Sequence, residues 1–309
     1  MKAFDLHQSL LLVTAWCAAA WLAWQGPRTP QEDGATLAHL ASQEGGKKAN
    51  YRYRRIVSAS TVADRILLEI AEPERIVAFT AQSARGPEGH RFRGSAQVES
   101  LERIESIVAL KPDLVIVSNV AEPARVARLR ESGLTLLDLG PTTGWPALLR
   151  AVDRLGRHLE LPQRASLLRR RLEQSAVEIA ADIEPRKRKR AIYLVSYGAQ
   201  LYGGTKETSF GDVVRFAGLV DAAASTYRGW PQYRVEELLK LDAELLVSHR
   251  AMAQTVCATP GMAQFGPCRS RSWVEIDEAL LGDPGIGMLD AAQSLRREVY
   301  GLPRPAPSF

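Results

Sequence analysis

The stretch that decides the fold runs from Pro146 to Ile183 and reads PALLRAVDRLGRHLELPQRASLLRRRLEQSAVEIAADI. Leu148, Val152, Leu155 and Leu159 recur every three or four residues, and Ala165, Leu168, Leu172, Ala176, Ile179 and Ile183 form a second such stripe. That period predicts two amphipathic helices. Pro162 separates them and belongs in the first turn of the second, where its missing N–H costs nothing. Followed to Ile183, the second helix should be about 34 Å long. Pro185 and the basic run Arg186 to Arg190 are expected to end it, with cations at its negative pole. A helix of that length with one apolar stripe predicts a strut laid across other units.

The flanks supply those units. Glu105 to Ser118 reads ESIVALKPDLVIVS and Glu236 to His249 reads EELLKLDAELLVSH, aligned without a gap 131 residues apart. In each, a short amphipathic helix opening on Glu leads through a polar turn into an apolar strand. An internal repeat of this kind predicts two similar α/β lobes. The divisions expected are an apolar leader over 1–25, a flexible tether over 26–50, a first lobe over 51–145, the connecting helix over 146–185 and a second lobe over 186–309.

Leu10 to Trp24 is uninterruptedly apolar or small, a length that suits the core of a secretory leader better than a spanning helix. Cleavage and retention as an anchor both remain open. The Gly-, Pro- and Gln-rich stretch that follows has no periodicity and reads as a linker. In the first lobe, strands are expected near Arg55–Ser58, Arg75–Phe79, Leu114–Val117 and Thr135–Leu139. A long loop over Thr80–Val98, holding His90, is expected between the second and third of these. In the second lobe, strand Ala191–Ser196 should run into a loop over Tyr197–Gly204, and further strands are expected at Glu244–Ser248 and Trp273–Ile276. Alternation of strands with helices predicts parallel sheets. With Cys17 in the leader, Cys257 and Cys268 are the remaining pair in an exported body, and a disulfide between them is expected to contribute about 3 kcal/mol.

The net charge of +5 is mild, and no basic face is interleaved with aromatics, which argues against nucleic acid as a partner. There is no H-E-x-x-H, no G-x-S-x-G and no G-x-G-x-x-G after the first strand, and Gly198–Lys206 misses the phosphate-loop spacing. No catalytic set is found. Polar and aromatic residues instead gather where open α/β sheets bind ligands, at the carboxyl ends of strands. From the first lobe these are Ser60, Thr61, Thr80, Gln82 and Asn119; from the second, Tyr197, Tyr202, Trp230 and His249. Two lobes facing across a strut would bring both sets to one cleft. His90 and His249 come from opposite lobes and offer metal or haem ligation, but a structural or solvated role suits each of them better.

From about Arg55 to the C-terminus the chain resembles the class III, helical-backbone substrate-binding proteins of ABC importers for cobalamin, ferric siderophores and haem. The resemblance lies in RIVSAS at Arg55, IESIVALKPDLVIVS, the long helical stretch, SWVEIDEALLGDPG at Ser272, and Tyr202-Gly203-Gly204-Thr205-Lys206-Glu207. Trp230-Pro231-Gln232, with Glu236 four residues after Gln232, is most similar to the cobalamin-binding members. The Thr80–Val98 loop departs from their tyrosine- and proline-rich pattern. The resemblance implies a monomeric carrier outside the cytoplasm, without catalysis or a resident cofactor, any cobalt or iron belonging to the ligand. It implies a permease and its ATPase subunits as partners, Glu105 and Glu236 as the docking residues, and Trp230 as a flat platform for the ligand. A tethered sensor or scaffold on the same fold, or an α/β enzyme, are the alternatives.

Overall fold

The computed structural model describes residues 51–302, leaving out 87, 119–122 and 182. The leader, the tether and Asn119 lie outside the described residues. Among these residues no helix is long and apolar enough to cross a membrane.

The first lobe runs β1 (Ile56–Ala59), α1 (Thr61–Ile70), β2 (Ile76–Thr80), α2 (Ala81–Arg85), β3 (Ala96–Val98), α3 (Ile104–Ala109), β4 (Leu114–Val117), α4 (Pro123–Glu131) and β5 (Leu136–Asp138). Its five strands are parallel, in the order β3-β2-β1-β4-β5. The connection is α5 (Trp145–His158) and α6 (Pro162–Ala180). The second lobe continues with β6 (Arg190–Tyr193), β7 (Val195–Tyr197), β8 (Gln200–Tyr202), α7 (Ser209–Phe216), β9 (Val220–Asp221), β10 (Gln232–Tyr233), α8 (Val235–Lys240) and β11 (Leu245–His249). It closes with α9 (Met252–Ala258), α10 (Gly266–Ser270), β12 (Trp273–Ile276), α11 (Glu278–Leu281) and α12 (Gly287–Tyr300). Here a parallel sheet in the order β12-β11-β6-β9 is joined by an antiparallel ribbon, β10-β8-β7.

The repeat is structural down to its hydrogen bonds. The Arg55 and Arg190 main-chain N–H groups donate to the Asp113 and Glu244 carboxylates, at 2.9 and 2.8 Å. The same arginines send Nε to the carbonyls of Lys111 and Asp242, at 2.9 and 2.7 Å. An acid and an arginine thus close each helix–turn–strand unit against the first strand of its lobe. Register follows: Leu114 pairs Ile56 and Leu245 pairs Ala191. Because side chains alternate along a strand, Leu114 and Ile116, like Leu245 and Val247, face the main core, while Val115 and Leu246 face the outer helices.

The strut is a pair of helices rather than one rod. Three residues join α5 to α6, with Glu160 in the left-handed region at φ 64°. At the crossing, a Cβ on Gly156 would collide with the Cβ of Ala165, so close helix approach requires glycine there. Both sequence stripes are buried, and a single apolar core runs from α1 through α5 and α6 into α7 and α12. The ends of the strut differ from expectation. α6 stops at Ala180, short of the basic run, where Arg186 and Lys187 pair with Glu184 instead of the helix terminus. Two arginines of α6 are also buried: Arg164 meets Glu72 at 2.8 Å and the Ile70 carbonyl at 3.0 Å, and Arg171 faces Glu69 at 3.9 Å. They satisfy polar groups at the end of α1 that the core would otherwise strand.

Two loops expected from the sequence are ordered elements. Thr80–Val98 forms α2, a 3₁₀ turn at Gly89–Phe92 and edge strand β3. The expected strand Ala191–Ser196 breaks at Leu194, and its continuation folds back as the β7–β8 hairpin over Gly198, whose φ of 62° fits the tight turn. Cys257 and Cys268 form a disulfide tying α9 to α10.

The first described residues are pinned to the junction of α1 and the strut. The Tyr51 hydroxyl donates to Glu72 at 2.7 Å, and its ring lies 3.9 Å from the Arg75 guanidinium. Burial raises the Glu72 carboxyl, but Tyr51, Arg75 and Arg164 outweigh it and hold the pKa below its ordinary value. A carboxyl depressed in the folded state stabilises fully above its unfolded pKa and loses that contribution as pH falls through the folded one. The melting-temperature gap between wild type and Glu72→Gln should therefore be constant down to about pH 5 and narrow below about pH 4. A gap unchanged to pH 3 would rule this account out.

Candidate functional site

In the first lobe, the carboxyl ends of β1, β2, β3 and β4 enclose a cavity of about 470 Å³, which Ser60, Thr61, Thr80, Gln82, Glu99 and Ser118 help to line. Thr61 and Gln82 also line a second cavity of about 320 Å³, whose far wall comes from the second lobe through Leu280, Asp283, Asp290 and Gln293. The described members of the first-lobe set, Ser60, Thr61, Thr80 and Gln82, are therefore gathered in one place, but they differ in availability. Ser60 is buried, accepts from the Ala63 N–H as the cap of α1, and lies 2.6 Å from the Ser118 hydroxyl. Thr80 caps α2 and donates at 2.6 Å to Asp64, a carboxyl that burial pushes above its ordinary pKa. These two hydroxyls hold the loops in shape. Thr61 and Gln82 present their side chains to both cavities.

The second-lobe set sits on the antiparallel ribbon and at the end of β11. Trp230 rests on Phe210 and Tyr193, with ring centroids 4.9 and 5.8 Å away, yet remains 40% exposed. Main-chain bonds fix it on both sides, Thr205 N–H to the Gly229 carbonyl at 3.0 Å and Gly203 N–H to the Pro231 carbonyl at 3.3 Å. A Cβ on Gly204 would lie 2.8 Å from both Trp230 and Phe210, so the indole can settle only over glycine. The result is a braced aromatic plate that stays partly exposed. Tyr197 and Tyr202 lie beside each other at 5.8 Å on the β7–β8 hairpin, and the Tyr202 hydroxyl donates to Gln200 at 2.7 Å. His249, half-buried, holds the position in the repeat that Ser118 holds in the first lobe. His90 is exposed in the 3₁₀ turn after α2.

One part of the site was not foreseen. Arg65 of α1 spans the lobes, meeting Asp290 at 2.9 Å, Asp283 at 3.7 Å and Glu88 of its own lobe at 3.3 Å. Asp283 also accepts from the Gly285 and Gly287 N–H groups at the entry to α12. Burial pushes its carboxyl up, against the pull of Arg65. The only trace in the sequence is the adjacent charged pair Asp64-Arg65 within the largely apolar helix α1.

Glu105 and Glu236 are exposed in the first turns of α3 and α8. Each helix feeds a parallel strand and so runs antiparallel to it, which turns both glutamates toward the carboxyl edges of the sheets. A family of periplasmic binding proteins matches residues 56–302, nearly the whole described fold. The chain belongs to the periplasmic binding protein family. Membership assigns it an extracytoplasmic, ligand-binding role in import by ABC transporters. The vitamin B12-binding protein of Pectobacterium atrosepticum is 24% identical over 262 residues, covering 82% of this chain and 91% of that protein. Among solved folds, the periplasmic haem-binding protein HutB of Vibrio cholerae superposes with a TM-score of 0.67 at 20% identity, covering 80% of this chain and 98% of that one. A possible iron-binding periplasmic protein of Staphylococcus epidermidis gives 0.69 at 16%, covering 81% and 99%. These likenesses make the α/β architecture that of a periplasmic binding protein.

Proposed function

We propose that the protein captures a metal chelate (cobalamin, haem or a ferric siderophore) between its lobes and delivers it to an ABC permease, docking through Glu105 and Glu236. The observation that carries the ligand class is Trp230. A large indole packed against two aromatic rings and held by main-chain bonds, yet 40% exposed, suits contact with a large ligand and would be a liability on a surface with no partner. Thr61 and Gln82 would supply polar contacts from the first lobe, with Tyr197, Tyr202 and His249 beside the plate. B12, haem and iron in the names of its relatives point to the same class. The test is a ligand panel on the purified protein, following tryptophan fluorescence and visible absorbance while cobalamin, haemin and ferric siderophores are added. One of them should bind saturably, and Trp230→Ala should weaken it about tenfold or more. Absence of binding by all of them at concentrations on the order of 10 µM would reject the ligand class.

A further inference from the structure

Six large apolar side chains stand well exposed among the described residues, and two of them, Val108 at 41% and Leu239 at 40%, hold the same position of the repeat. Of the other four, Tyr197 and Trp230 are the ribbon aromatics assigned above to the ligand, and Val177 and Val220 lie outside the repeat. Val108 follows Glu105 by one helical turn, and Leu239 follows Glu236 likewise, so carboxylate and apolar side chain share one helix face. Ile107 and Leu238 are the fully buried anchors of the two helices, again at matching positions, which gives both helices the same rotation on their sheets. The neighbours have diverged: Ser106 faces Glu237 in the alignment, and Ala109 faces Lys240. A lone exposed leucine is ordinary surface. An acid and an apolar residue in the same geometry on both lobes, with unlike residues around them, calls for a partner that sees both lobes alike.

We propose that Val108 and Leu239 are docking residues, forming with Glu105 and Glu236 two equivalent knobs that seat in two equivalent cups of a twofold membrane permease. Each cup pairs a basic side chain with an apolar recess. This rests on the docking reading of the two glutamates and adds what they lack. A carboxylate attracts a cation from any direction, whereas a second contact one turn away fixes the rotation of the knob. Seating the apolar side chain also excludes water from the neighbouring ion pair, which strengthens it.

The test places a photo-crosslinking amino acid at 108, 239, 105, 236 or, as a control, 177 of the full chain in the cells that make it. Positions 108 and 239 should capture the same polypeptide, identified by mass spectrometry as the membrane-spanning subunit of an ABC importer. Position 177 should capture none, and the adducts should disappear when Glu105→Ala and Glu236→Ala are combined. With that permease in nanodiscs, Val108→Ser and Leu239→Ser should each weaken binding about tenfold while ligand binding in the cleft is unchanged. Capture from 105 and 236 but not from 108 and 239, or full affinity in the double serine variant, overturns this proposal and leaves the glutamate docking intact. Capture from none of the four overturns both.

Discussion

Replacing Glu105 and Glu236 together by alanine should abolish uptake of the ligand while the purified protein still binds it with unchanged affinity. Both carboxylates are exposed, and neither has a partner among the described residues, so the fold does not depend on them. Their loss removes only a weak favourable interaction with a helix N-terminus, a few tenths of a kcal/mol each. At a docked interface the account reverses, because a desolvated carboxylate–cation pair typically costs 2 kcal/mol or more to break, and two such pairs correspond to roughly a thousandfold loss. The single variants are the sharper measurement. Since the glutamates occupy equivalent places on equivalent helices, each alone should cost about the same in transport assays. A large effect from one and none from the other would refute the twofold docking geometry. Normal uptake by the double variant would remove the transport role and leave a sensor or scaffold on this fold.

Arg65→Met should be the most damaging single substitution of an ionisable residue. It removes from Asp283, a carboxyl that burial already raises, the guanidinium that faces it at 3.7 Å, and takes away one cation each from Asp290 and Glu88. Breaking a largely buried ion cluster from the cationic side typically costs about 3 kcal/mol, which for a body of this size lowers the melting temperature by roughly 6–12 °C. The deficit should shrink toward acid. The Asp283 carboxyl has a folded-state pKa above its unfolded one, so without Arg65 the penalty for its charge is present at neutral pH and is relieved as pH falls through the folded value. Calorimetry of both proteins between pH 7 and pH 4 checks size and sign together. A variant that melts within about 1 °C of wild type at pH 7 would mean that the lobes do not depend on this contact. Because Arg65 lines the interlobe cavity, the same substitution should also loosen the first lobe against α12 and weaken binding of a ligand held there.

The sequence by itself determined whatever depends on spacing along one element. The alignment of Glu105–Ser118 with Glu236–His249 was enough to assign two lobes, their buried strand faces and the paired glutamates, because a period of two along a strand and a buried anchor on a short helix leave little rotational choice. The stripes from Leu148 to Ile179 located the strut for the same reason. Tertiary structure alone decided what depends on the lobes meeting. Arg65 and Asp290 are 225 residues apart, and nothing in the charge of either announces a partner. Arg164 and Arg171 lie outside the apolar stripe of α6, and only the carbonyls and carboxylates at the end of α1 draw them inside. The candidate residues Ser60 and Thr80 illustrate the same limit: a hydroxyl at a strand end reads equally as a ligand contact or as a helix cap, and only the N–H groups and the Asp64 carboxyl brought against it by folding decide which bonds it makes.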